Sequence, residues 1–178
     1  MRIIKLSPKD IDFPDRSIVY DYFQIKLPSR SPVGQFLLTR SRIAEEGISV
    51  GEPIIFSYET EITHIAKAAS GRLLNAGGDR ETYPFYFIVD MSTVFLAKGS
   101  LADLENALSA IGINKNIIRT QGWPRILDSL EADKIWNKYK KYARTCHSRG
   151  RDVLWRLFRK AFRAPQFGVS GQSSNVQS

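Results

Sequence analysis

The sequence predicts an α+β fold in which a β-rich body is followed by helices, and three observations carry that prediction. The first hundred residues are a succession of short β-branched and aromatic runs broken by Pro and Gly. The second half switches to apolar residues three and four apart, the helical period. Positive charge then collects in one helical segment near the C-terminus. Eleven Lys and Arg lie between Lys134 and Arg163, against the single acidic residue Asp152. The rest of the chain keeps fifteen of the 26 basic residues and seventeen of the 18 acidic ones. A net charge of +8 therefore describes a nearly neutral body carrying a basic segment.

Arg2–Leu6 reads as a short strand closed by Ser7 and Pro8. Residues 18–25 are β-branched and aromatic and run towards Pro28, which predicts a second strand. Pro, Ser and Gly mark 28–34 as a loop. Phe36, Leu37, Arg40, Ile43 and Ala44 follow a helical period, with Gly47 as its stop. A turn over 50–53 leads into a strand at 54–58, and 62–68 alternates imperfectly as another. A loop over 71–79 separates these from strands at 83–89 and 93–97, joined by a short turn. Ser100 and Asp103 resemble a capping pair. Leu101, Leu104, Leu108 and Ile111 then mark one face of a helix ending at Gly112. Residues 114–125 are irregular. From Leu130 to about His147 a helix is carried by Ile135, Tyr139, Tyr142 and Cys146. After Gly150, residues 153–162 resume it with Leu154, Phe158, Ala161 and Phe162. Beyond Pro165 the composition predicts a disordered tail.

A hydrophobic share of 43% supports a buried core. The N-terminus does not read as a signal peptide, and no run approaches the ~18 apolar residues of a membrane span. Cys146 is the single cysteine, so no internal disulfide forms and a cytoplasmic location is expected. Two histidines, His64 and His147, with Cys146 do not make a zinc ligand set. No phosphate-cradling glycine loop, nucleophile elbow or paired carboxylate–lysine motif is present. The expectation is a protein that is not an enzyme and takes no metal or cofactor.

The aromatics point elsewhere. Most of Tyr58, Tyr83, Phe85, Tyr86, Phe87 and Trp123 read as core, but aromatics beside Arg and Gln are also what holds an unpaired base. Trp123, in an irregular passage with Arg119, Gln121 and Arg125, supplies with them a stacking surface, an amide and two phosphate-seeking cations. Tyr58, Trp123, Arg119 and Gln121 are therefore the candidate base-binding set. Lys138, Lys140, Lys141, Arg144, Arg149, Arg151, Arg156, Arg159 and Lys160 are the candidate phosphate contacts.

The segments Ser41-Arg-Ile-Ala, Gly51-Glu-Pro-Ile-Ile-Phe-Ser-Tyr, Ile62-Thr-His-Ile-Ala-Lys-Ala and Tyr83-Pro-Phe-Tyr-Phe occur in an order that resembles the PUA-like superfamily, its EVE branch in particular. The resemblance covers roughly residues 35–125. Glu52-Pro53 and Ala66 depart from its usual Asp and Gly, and the family's N-terminal Trp segment is absent. It implies a small mixed β-barrel with helices at its openings, binding modified or unpaired bases without transforming them. It also implies association with a nuclease or another defence-system protein. The domains expected are a barrel over 1–127, a basic amphipathic appendage over 128–163 and a tail over 164–178. The function expected is recognition of a base in DNA or RNA by the barrel, with the basic helices on phosphates. The alternatives are a protein- or membrane-surface interaction module with the barrel as scaffold, and an accessory or divergent nuclease.

Overall fold

The computed structural model describes residues 1–39, 47–120, 123, 125–127 and 131–140. Backbone proximity divides the chain into Met1–His147 and Ser148–Ser178. The second unit, with the predicted helix at 153–162 and the tail, lies outside the described residues.

Six strands form one mixed sheet: β1 (Arg2–Leu6), β2 (Gln35–Leu38), β3 (Pro53–Tyr58), β4 (Glu61–Ala68), β5 (Leu73–Leu74) and β6 (Phe85–Leu96). Their order is β1-β3-β4-β6-β2, with β5 beside β6. β1 and β3 run parallel, and the other pairs are antiparallel. β6 is twelve residues long and serves two neighbours in turn. Its first residues pair with β2 and its later ones with β4, so the sheet curls. No ladder joins β1 to β2 among the described residues, which leaves a half-barrel open along one seam.

Both faces of the sheet are buried, and period-two alternation sorts side chains between them. Ile4, Leu6, Ile54, Phe56, Ala66 and Ala68 enter one core with Phe36, Phe87 and Trp123. Met1, Ile3, Ile55, Ile62 and Ile65 enter the other with Leu104, Leu108 and Ile135. The first core unites β1 with β2, the two ends of the sheet, so it fills the concave side. β3 is buried along its whole length because it feeds both.

The concave side is covered by residues that the sequence reading made a strand. Arg16–Asp21 is helix α1, Tyr22–Lys26 a π-helical turn and Leu27–Ser29 a short α2. Asp15 starts α1 by accepting from the backbone N–H of Ser17 at 2.7 Å and of Ile18 at 3.1 Å. Val19, Tyr22, Phe23 and Leu27 then fall on one buried side at helical spacing, while Ile25 stays exposed. The cap and the spacing outweigh the β-rich composition. Conversely, the helix predicted from Phe36 begins as β2, where Phe36 and Leu38 are buried and Gln35 and Leu37 less so. The remainder of that predicted helix, 40–46, lies outside the described residues.

The strands predicted at 83–89 and 93–97 are the single β6. The turn placed between them is a bulge. Thr93 Oγ1 donates to the carbonyl of Asp90 at 2.7 Å and accepts from the Lys67 N–H at 2.8 Å, while β4 skips register between Ile65 and Lys67. The other face of the sheet is covered by α3 (Leu101–Ser109) and by a helix, α4, over 131–140. α3 opens with the expected pair: Ser100 Oγ accepts from the Asp103 N–H, and Asp103 accepts from the Ser100 N–H. α4 buries Ala132, Ile135, Trp136 and Tyr139 and exposes Lys134 and Lys138. The first turns of the basic segment thus pack into the core of the sheet.

Candidate functional site

A cavity of about 700 Å³ lies at the open seam. One wall is the end of the sheet, Phe36 and Leu37 of β2 with Thr39 beyond it. The opposite wall is the loop after β1, Lys9 to Phe13, and Trp123. Glu81, Thr82 and Tyr83, just before β6, close a third side. The size lies in the ~300–1,000 Å³ range of small-molecule sites.

The loop after β1 is fixed from within and from without. Asp10 Oδ2 accepts from the Ser7 N–H at 2.9 Å, and the Asp10 N–H donates to the Ser7 carbonyl at 2.9 Å. The Phe13 N–H donates to the Asp10 carbonyl, which turns the chain back towards the core. Asp12 is held by two donors, Lys26 Nζ at 2.8 Å on Oδ1 and Tyr83 Oη at 2.8 Å on Oδ2. Burial pushes the Asp12 carboxyl up, but these bonds outweigh it and leave its pKa below the ordinary 3.8. Burial and then Asp12 push the Tyr83 phenol upwards, so it remains a donor. The segment leading to Tyr83 is held by Asn75, whose Nδ2 donates to the Tyr83 carbonyl at 2.8 Å and to Asp79 at 2.9 Å.

Trp123 is anchored at the seam rather than displayed on a loop. Its Nε1 donates to the Lys5 carbonyl of β1 at 3.0 Å, and its ring meets Phe36 edge-on at 6.1 Å. Its own carbonyl accepts from Arg2 Nη1 at 2.8 Å. Arg2 is buried, with Nη2 on the Gly47 carbonyl and Nε 3.5 Å from Glu52. Glu52 also accepts from Arg125 Nε and Nη2 at 3.2 Å each. This ionic cluster joins β1, the turn before β3 and the strip bearing Trp123.

Of the four predicted base-binding residues, the cavity takes only Trp123 among those described. Tyr58 is buried with Trp123 in the concave core, but its hydroxyl donates to the Pro14 carbonyl at 3.3 Å and it does not line the cavity. Arg119 is exposed on a turn after α3, its N–H donating to Asn116 Oδ1, and it too is away from the cavity. Gln121 lies outside the described residues. Of the predicted phosphate contacts, Lys138 is exposed on α4 and Lys140 is half-buried with its ammonium 5.6 Å from the Phe95 ring centre. Lys141, Arg144, Arg149, Arg151, Arg156, Arg159 and Lys160 lie outside the described residues.

The sequence reading missed Asp10, Asp12, Phe13, Phe36 and Thr39. The dipeptide Tyr83-Pro84 was the available signal for one wall. Asp-Ile-Asp-Phe between two prolines, at 10–13, was the signal for the other.

No family model and no curated protein sequence matches the chain. Among solved structures, the YTH domain of Zygosaccharomyces rouxii MRB1 protein, in complex with N6-methyladenosine RNA, is similar to this chain. The identity is 12% and the TM-score 0.45, over 78% of this chain and 86% of that one. Among the described residues, no helix is long and apolar enough to cross a membrane.

Proposed function

We propose that this chain binds nucleic acid by taking one unpaired, modified base into the seam cavity, while cations of the C-terminal segment hold phosphates. The observation that carries this reading is the cavity itself, lined by Phe13, Phe36, Tyr83 and Trp123 together with polar side chains, of which Tyr83 and Asp12 are held by their mutual hydrogen bond. A flat heteroaromatic ring contacts the apolar floor, a methyl substituent is accommodated there, and polar side chains at the rim meet its edge. The exposed side of α4 opens a run of cations that attract any polyanion. Reading and gripping are thereby divided between two parts of the chain.

Filling the cavity tests this without emptying the core. Thr39 is half-buried on its wall, and Thr39→Trp would occupy the space a base needs. Binding of labelled single-stranded and duplex RNA and DNA, with and without modified bases, is measured for both proteins. The variant is expected to lose about tenfold or more of its affinity for oligonucleotides with an accessible base. Its dependence on salt should stay as in the parent, since no phosphate contact is removed. Equal affinity of the two proteins for every oligonucleotide would sink the reading.

A further inference from the structure

Resting on the base site proposed above, we infer that the cavity selects guanine, through hydrogen-bond acceptors that match its two adjacent donors. The charged side chains around it are mostly of one sign. Asp10, Asp12 and Glu81 bring carboxylates, and Lys9 brings the only ammonium among the described lining residues. No amide, guanidinium or imidazole is among them. Asp12 is the fixed member of this set. Lys26 and Tyr83 hold it in place and in its ionised form, each using one of its oxygens. An ionised carboxylate has about four acceptor positions, so two bonds leave it able to accept more.

An acceptor pair discriminates among bases by what lies beside each donor. Adenine and cytosine offer an amine next to a ring nitrogen bearing a lone pair. Uracil and thymine offer one N–H between two carbonyl oxygens. Each of these sets a lone pair against a carboxylate oxygen. Guanine presents N1–H beside the N2 amine, so both carboxylate oxygens meet donors and both bonds are charge-assisted. A site whose fixed acceptors are left facing a lone pair rejects that ligand more strongly than one that merely loses a contact. The larger purine also covers more of the aromatic floor.

The test uses the full chain and free nucleosides, which removes the phosphate contribution. Dissociation constants are measured calorimetrically for guanosine, inosine, 1-methylguanosine, adenosine, cytidine and uridine. Guanosine is expected to bind best. Inosine, which lacks the N2 amine, and 1-methylguanosine, which lacks N1–H, should each bind about 10- to 100-fold more weakly. Asp12→Asn, and separately Asp10→Asn and Glu81→Gln in case the first variant fails to fold, identify the reading carboxylate as the one whose loss abolishes the preference. Inosine binding as well as guanosine, or a preference for adenosine, cytidine or uridine, overturns the inference and leaves the base site standing. Absence of binding by every nucleoside overturns the inference, and the base site is then decided separately by Thr39→Trp against oligonucleotides with and without modified bases.

Discussion

His64 sits in the middle of β4 and is 1% exposed, with its ring stacked on Phe23 at 4.2 Å. Neither of its ring nitrogens finds a hydrogen-bond partner among the described residues. Burial therefore pushes its pKa down from 6.5 to about 3. In the unfolded chain the same imidazole takes up a proton near 6.5. Stability is thus unaffected by this group above that pH and falls as the pH drops from 6.5 towards 3, by at most about 1.4 kcal/mol per unit. Asp12, Asp15 and Asp103, whose pKa values are lowered from 3.8, contribute their own loss only below about pH 4. His64→Phe keeps the ring contact and removes both orphan nitrogens. Chemical denaturation should find the variant about 1 kcal/mol more stable at pH 7 and nearly flat between pH 6.5 and 4.5, where the parent declines. Parallel profiles for the two proteins would show that the imidazole is solvated in the folded state.

At the scale of elements, three short segments are tied together by one ionic cluster: the turn before β3, the start of β1 and the strip bearing Trp123. Glu52 and Arg2 are both nearly inaccessible, whereas the Arg125 side chain is 36% exposed. Replacing Glu52 by Gln removes a buried carboxylate from beside the buried Arg2 guanidinium, and unfolding in urea should register a loss of about 3 kcal/mol. Arg125→Met removes a partly solvated partner and should cost under about 1 kcal/mol. If both variants lose the same amount, the cluster is not organised around a buried charge. Elements of this kind were unevenly legible in the sequence. β1, β3 and β4 declared themselves because an apolar run was bounded by turn residues, and α3 because a helical period followed a capping pair. Residues 18–25 did not, because Tyr, Phe and Ile favour strands by composition while Val19, Tyr22 and Phe23 are placed for a helix. β2 was obscured by apolar residues whose first members fit both periods. The cavity was not legible at all as a unit, since its walls come from residues 9–13, 36, 37, 39, 81–83 and 123 and meet only when the sheet curls.

For the whole molecule, the curled sheet divides labour between its two faces. The concave core carries the seam and its cavity, and the other face carries α3 and α4, from which the basic sequence continues. Because Ile135, Trp136 and Tyr139 belong to the core, the basic segment cannot be removed at Lys134 without damaging the body. Truncation after His147 follows the boundary between the two units instead. It deletes Arg149, Arg151, Arg156, Arg159, Lys160 and Arg163 and only one acid, Asp152. If those cations grip phosphates, affinity for any polynucleotide at low salt should fall by tenfold or more. The slope of log affinity against log salt should become shallower by nearly one unit for each lost contact. Thermal unfolding and nucleoside affinity should stay close to those of the parent, because among the described residues the cavity and both cores lie before the cut. An unchanged salt slope in the truncated chain would assign polyanion attraction to the body and leave the C-terminal cations another task.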